Sequence, residues 1–171
     1  MAASNDAQLI RIARLRRFVG VFARGGDREL TAEALHELAR ASREGGLATD
    51  ALRRARQAAQ LLADEEAGEA GVRALVHLGS MCLETDALDA AAAAAELARE
   101  RASLLPDPVR AELVAGATLL AGIARSRTDS GDDARRLLSE ARDLLVACDL
   151  PAGAALALVE HLPSVLRLRG G

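Results

Sequence analysis

The sequence contains no lysine, tryptophan or tyrosine, and its only aromatic residues are Phe18 and Phe22. All 22 basic residues are therefore arginine, which excludes a Schiff-base lysine and the lysine of a P-loop. Because bases in single-stranded nucleic acid stack on aromatic rings and this chain has only two, a stacking platform for nucleic acid is not expected. These absences remove several enzyme and nucleic-acid-binding classes before any motif is considered.

Net charge, hydropathy and cysteine content argue against nucleic-acid binding, a membrane span and a disulfide or zinc framework. A formal net charge of −3 gives no overall basic field to attract nucleic acid. The longest uncharged run, residues 113–124, is twelve residues long, whereas a bilayer-spanning helix needs roughly 20. Two cysteines, Cys82 and Cys148, are too few for a disulfide framework or a zinc site, and the first residues do not resemble a signal peptide. We expect a cytoplasmic protein with no cofactor or metal, which binds neither nucleic acid nor a membrane.

What the sequence does contain is a high density of helix formers. No stretch alternates apolar and polar residues with a period of two, and Ala, Leu, Arg and Glu dominate. Turn signals separate segments of helical length, with Thr49, Asp86 and Asp107 as expected N-caps. The pattern predicts an all-α protein with eight helices, at about 5–24, 29–44, 49–63, 68–84, 86–104, 107–127, 131–148 and 151–168.

Three pairs of these helices share a register of apolar and small residues. Successive pairs are offset by 40 and then by 43 residues, in both the first and the second helix. The aligned positions in the first helices are Leu35, Leu38 and Ala39; Leu75, Leu78 and Gly79; and Thr118, Ala121 and Gly122. Those in the second helices are Ala51, Ala55 and Ala58; Ala91, Ala95 and Ala98; and Ala134, Leu138 and Ala141.

This register resembles the tetratricopeptide repeat (TPR) family over about residues 32–148. The family's repeat is ~34 residues long, so these units are longer, and the large aromatics of the family are replaced here by residues such as Leu35 and Leu75. The resemblance implies a TPR-like α-solenoid of stacked antiparallel pairs. It divides one domain, 1–171, into an N-terminal cap helix (1–28), three helix pairs (29–148) and a C-terminal cap with a tail (149–171).

By the same resemblance, partners bind along the inner surface of the first helices. Arginines beside aliphatic residues suit an acidic, partly apolar peptide, because guanidinium groups pair bidentately with carboxylates. The alternative is a solvated face whose arginines have carboxylates about one turn away, such as Glu33 and Glu37 near Arg40. The expected partner-binding residues are His36, Arg40, Arg43, Arg73, Val76, Ser80, Leu83, Leu119, Ile123 and Arg127.

No catalytic motif accompanies these residues. The three histidines have no metal-ligand spacing, and the surroundings of His77 lack the basic residue that a phosphotransfer histidine would have nearby. A non-enzymatic scaffold or adaptor for a protein or peptide is therefore the leading interpretation. The alternative is a regulatory or ligand-sensing domain in bacterial signalling or transcription control, and an Ala-rich end could also pair with a second copy.

The two ends of the chain leave further alternatives. The first helix has an apolar half, containing Phe18 and Phe22, and we interpret it as a packed cap rather than a membrane-surface or partner-binding helix. The last residues, Leu166-Arg167-Leu168-Arg169-Gly170-Gly171, are similar to the C-terminus of ubiquitin, which implies a minor possibility of a modifier or substrate. A frayed helix end explains the same residues.

Overall fold

A computed structural model describes residues 2–63, 68–128 and 131–149, and these residues form seven α-helices without a strand. The all-α expectation is confirmed for this part of the chain, whereas the eighth expected segment, 151–168, lies outside it. The helices are α1 (Ala2–Gly25), α2 (Arg28–Glu44), α3 (Ala48–Leu61), α4 (Glu69–Glu84), α5 (Leu88–Ala102), α6 (Val109–Arg127) and α7 (Gly131–Ala147). They fall into two compact groups, α1–α3 and α4–α7.

Helix starts are where the sequence interpretation was wrong. The N-cap of α3 is Leu47, that of α5 is Ala87 and that of α6 is Pro108, and none makes a side-chain capping bond. The side-chain cap occurs instead at Asp27, whose carboxylate accepts a hydrogen bond from the Leu30 N–H at 2.9 Å. Of the residues expected to cap, Asp107 instead pairs with Arg110.

Two turns between paired helices have the same backbone hydrogen bonds, 40 residues apart. In the first, the N–H groups of Gly45, Gly46 and Leu47 donate to the carbonyls of Ala41, Arg43 and Ser42. In the second, Thr85, Asp86 and Ala87 donate to Met81, Leu83 and Cys82. The central residue has a positive φ in both turns, 76° at Gly46 and 62° at Asp86. Glycine takes this conformation without strain, whereas Asp is one of the few other residues that tolerate it.

The first group is held by a small core between α1 and α2. Ile12, Leu38 and Ala41 are buried together, and Leu15 and Val19 pack against them. A polar contact also joins α1 and α2, since the Gln8 side-chain amide donates to the Ala41 carbonyl at 2.7 Å. One face of α1 is therefore firmly packed.

The second group depends on close contacts through small residues. A Cβ built on Gly79 would lie 2.5 Å from Leu120 Cδ2, and one on Gly122 would lie 2.9 Å from Leu138 Cγ. In the second helices of the pairs, the aligned alanines are buried almost completely. Small side chains let helix axes approach at the near end of the usual 8–10 Å range.

Helices α4 and α6 lie side by side and run in the same direction. Near their first turns, Arg73 of α4 is 3.7 Å from Glu112 of α6. At their last turns, Arg127 of α6 donates to the Leu83 carbonyl of α4 at 2.8 Å. We call the surface formed by these two helices the α4–α6 face. Its exposed or partly exposed residues include Arg73, His77, Glu84, Glu112, Leu119 and Arg127.

Candidate interaction surface

The ten expected partner-binding residues lie in two places. His36, Arg40 and Arg43 are on α2, within the first helical group. The other seven are on α4 and α6, which contact each other within the second group. Those seven are Arg73, Val76, Ser80, Leu83, Leu119, Ile123 and Arg127.

Four of these seven residues are buried. Val76 is 5% exposed, Ser80 4%, Leu83 2% and Ile123 7%. Helix α4 contacts both α5 and α6, so two of its sides are covered. The partly exposed strip of α4 passes through Arg73, His77 and Glu84 instead. A partner on this face would therefore meet these residues before the buried aliphatic ones.

The arginines of the expected surface already have acidic neighbours. Arg40 pairs with Glu37 at 2.5 Å, one turn away on α2. Arg73 Nε is 2.7 Å from Glu69 Oε1, and its Nη2 approaches Glu112 on the next helix. Arg127 pairs with Asp86 at 2.5 Å in addition to the carbonyl of Leu83. These contacts match the alternative in which helix-face arginines pair locally, and they give the α4–α6 face mixed charge.

Sequence spacing predicts only some of the ion pairs of Arg73 and Arg127. Glu69 lies four residues before Arg73, a spacing that places two side chains next to each other on a helix. Glu112 and Asp86 are distant in sequence from the arginines they pair with, and they meet them only because α4 and α6 are neighbours. Helical periodicity within one element carries no signal for such pairs.

His36 is neutral at neutral pH, although it was expected on a cationic surface. Its Nε2 atom is enclosed by protein. Burial lowers the pKa of His36 from 6.5 to about 4, and the charge of Glu37 raises it only in part. A neutral imidazole gives no charge-assisted hydrogen bond to a carboxylate, so His36 adds no cation to the surface.

The lowered pKa of His36 predicts a loss of stability in mild acid. Between about pH 6.5 and pH 4 the unfolded chain binds a proton that the folded chain does not, so stability falls as the pH falls. Because His36 as a whole residue is only partly buried, we expect a loss of about 1–2 kcal/mol in the free energy of unfolding between pH 7 and pH 5. Urea unfolding of the wild type and of His36→Gln at both pH values measures it. The variant should lose less stability than the wild type, and equal losses would contradict the assignment.

The remaining histidine of interest, His77, does not offer its Nε2 atom to a phosphoryl donor. That atom is enclosed by protein, although the residue as a whole is half-buried. A phosphotransfer histidine needs an accessible ring nitrogen, because that atom attacks the phosphorus. Burial of Nε2 therefore counts against phosphoryl transfer through this nitrogen.

Groups of metal-ligating side chains and bilayer-spanning helices are both absent from the part of the chain that the structure describes. Within residues 2–63, 68–128 and 131–149, no three His, Cys, Asp or Glu side chains are grouped closely enough to hold a metal ion. In the same residues, no helix combines the length and the apolar character that crossing a bilayer requires.

The described helices and their contacts define an all-α protein built from helical hairpins. Comparison with protein-family models and with curated proteins finds no match to this chain. The Leu-Arg-Leu-Arg-Gly-Gly ending lies outside the described residues.

Proposed function

We propose that the chain is a non-enzymatic scaffold or adaptor, built as a TPR-like array of stacked helix pairs, that binds a peptide or helix of a partner protein. The observation that carries the proposal is the pairing of α4 and α6 as parallel neighbours, with α5 packed against both. In a TPR-like array, first helices of consecutive pairs stand in this relation and form the binding surface.

The repeated turn supports the array. The same three backbone hydrogen bonds close α2–α3 and α4–α5 at an offset of 40 residues, which equals the offset of the aligned small residues. Identical caps direct each second helix back along its first helix in the same way. Within the second helical group, α5 packs against both α4 and α6, so these helix pairs share a core that a single Ala-lined pair lacks.

Arg73 is the residue of the α4–α6 face on which we expect a partner to depend most. Its side chain is 43% exposed and lies between two carboxylates that hold the guanidinium in place. Glu69 and Glu112 neutralise its charge, so we expect its remaining N–H groups to donate to an uncharged carbonyl of the partner, and a guanidinium already held in position loses less side-chain entropy when it does so. Arg127 is less suitable as a probe, because its bond to the Leu83 carbonyl also supports the fold.

Affinity capture with the full chain tests the proposal. The wild type, Arg73→Ser and a control, Arg142→Ser, are used as baits in a lysate of the source organism. Arg142 is 72% exposed on α7 and pairs with its sequence neighbour Asp143, so its replacement changes charge equally without touching the α4–α6 face. We expect Arg73→Ser to recover the partner at least about tenfold less well, and Arg142→Ser to recover it normally.

Circular dichroism of each bait controls for loss of fold. A partner recovered equally by the wild type and Arg73→Ser, with intact helicity, would reject the α4–α6 face. Equal loss with both variants would show that net charge, rather than this surface, controls binding.

A further inference from the structure

Helix α1 has a second face that its packing leaves exposed. Its inner face, with Ile12, Leu15 and Val19, packs on α2. On other sides of the helix, Ile10 is 55% exposed, Phe18 53% and Val21 52%. Counting Leu9, α1 carries four of the nine large hydrophobic side chains that are exposed in the described part of the chain. Such a concentration on one helix marks a surface for interaction.

Phe18, which the sequence placed in the apolar half of a packed cap helix, is 53% exposed. Phe18 lies against Phe22 with ring centroids 6.3 Å apart, and half of its surface faces solvent. Offset stacking of aromatic rings is favourable and supports this arrangement. A half-exposed aromatic ring beside other apolar residues resembles the anchors found at the centre of protein interfaces.

The arginines of α1 divide into two groups. Arg11 pairs with Glu44 at 2.6 Å, and Arg16 pairs with Asp50 at 3.4 Å, so both are neutralised by neighbouring helices. Arg14 and Arg17 are exposed and make no hydrogen bond or ion pair within the described residues. The one carboxylate of α1 is Asp6, two turns before Arg14, and no acidic residue occurs between positions 7 and 24.

The exposed apolar and cationic residues share one face. Counted from Ile10, the others lie at i+4, i+7, i+8 and i+11, which are the positions that meet on one side of a helix. This surface, which we call the outer face of α1, consists of Ile10, Arg14, Arg17, Phe18 and Val21. It extends over about 17 Å of helix, or three turns.

We propose that the outer face of α1 binds an acidic amphipathic helix of another protein. The partner would place apolar residues against Ile10, Phe18 and Val21, and Asp or Glu against Arg14 and Arg17. Bidentate pairing with carboxylates suits guanidinium groups, and arginines and aromatic rings are enriched in protein interfaces. The proposal goes beyond the function proposed above, because none of its residues belongs to the α4–α6 face.

Two other occupants fit the outer face less well. A membrane would have to accept Arg14 and Arg17 between the apolar residues, and burial of unpaired guanidinium groups in hydrocarbon is costly. A second copy of α1 would bring arginines against arginines, because the helix has no carboxylate over this length. An acidic helix satisfies both the apolar and the cationic part of the face.

The test is a binding titration with a synthetic peptide. The probe is a fluorescent helical peptide of about 18 residues, with Leu at i, i+4, i+7 and i+11 and Glu flanking each Leu, and a scrambled peptide of equal composition is the reference. Arg17→Glu is compared with Arg56→Glu on α3. Both arginines are exposed and make no ion pair within the described residues, so they are a matched pair for reversal of charge.

We expect the wild type to bind the amphipathic peptide at least about tenfold more tightly than the scrambled one. Arg17→Glu should lose about tenfold in affinity, and Arg56→Glu should lose less than about twofold. Equal effects of the two substitutions, or equal binding of the two peptides, would overturn the proposal.

Two further measurements separate the alternative occupants. The wild type could bind phosphatidylcholine–phosphatidylserine vesicles instead of the peptide, and Arg17→Glu could abolish that binding. This result would overturn the proposal in favour of a membrane. Self-association in the ultracentrifuge that Arg17→Glu removes would overturn it in favour of a second copy. A monomer that ignores vesicles and binds the peptide supports it.

Discussion

Replacing Leu38 by alanine is expected to lower the free energy of unfolding by about 2–5 kcal/mol. Leu38 is 0% exposed, and its neighbours in the core are Ile12 and Ala41. The substitution removes buried methyl groups and leaves a cavity between α1 and α2, which the neighbouring backbones can close only in part. Natural domains have about 5–15 kcal/mol of stability, so the loss is a large fraction of the total.

The matched control for Leu38 is Leu30 on the same helix. Leu30 is 41% exposed. Its backbone N–H donates to the Asp27 carboxylate, and an alanine at this position retains that hydrogen bond. We expect Leu30→Ala to change stability by less than about 1 kcal/mol, since little apolar surface returns to water. Urea unfolding followed by circular dichroism measures both variants. Similar small losses in the two would show that α1 and α2 do not share the core described.

Replacing Gly79 by valine is expected to cost about 3 kcal/mol. A Cβ there would stand 2.5 Å from Leu120 Cδ2, 3.4 Å from the Ala91 carbonyl oxygen and 3.5 Å from Ala94 Cβ. Leu120 is 0% exposed and has no solvent into which it could turn. Overpacking of this kind costs about 1–3 kcal/mol, and sometimes more, and it outweighs the small gain in helix propensity.

Gly20→Val is the control for Gly79→Val, because Gly20 also lies within a helix. The nearest atom to a Cβ at Gly20 is Arg24 Nη1, at 3.5 Å on the end of a flexible side chain. We expect its stability to stay within about 0.5 kcal/mol of the wild type. A stable Gly79→Val protein would mean that the helices do not approach through this glycine.

The helices of this protein were predictable because each one carries its own periodic pattern. Seven expected segments correspond to the seven observed helices, and the positions aligned at offsets of 40 and 43 include buried alanines such as Ala95 and Ala141. Small residues at a helical spacing are needed for close packing of helices, so the signal is local and physical. The eighth segment lies outside the described residues.

The caps were less predictable, because several residues satisfy the same local rule. Asp86 has the side chain of an N-cap, yet it takes the positive φ of the turn, and its carboxylate accepts from Arg127. Asp27 does cap its helix. The choice between a cap and a turn residue depends on where the previous helix ends, which composition alone does not specify.

The candidate surface was predictable only in part, for a related reason. The first-helix residues chosen from the sequence lie on α2, α4 and α6, but Val76, Ser80, Leu83 and Ile123 are covered by packing. Periodicity identifies faces of one helix, whereas burial depends on how many neighbours that helix has. The outer face of α1 could not be predicted from the sequence either. Apolar residues occur around much of this helix, and only packing against other helices decides which of them stay exposed.

The dissociation constant of the captured partner, measured against purified wild type, Arg73→Ser and Arg142→Ser, is the decisive quantity for the proposed function. Binding by the α4–α6 face predicts an increase of at least about tenfold for Arg73→Ser and an unchanged value for Arg142→Ser. Equal dissociation constants for all three folded proteins would contradict it.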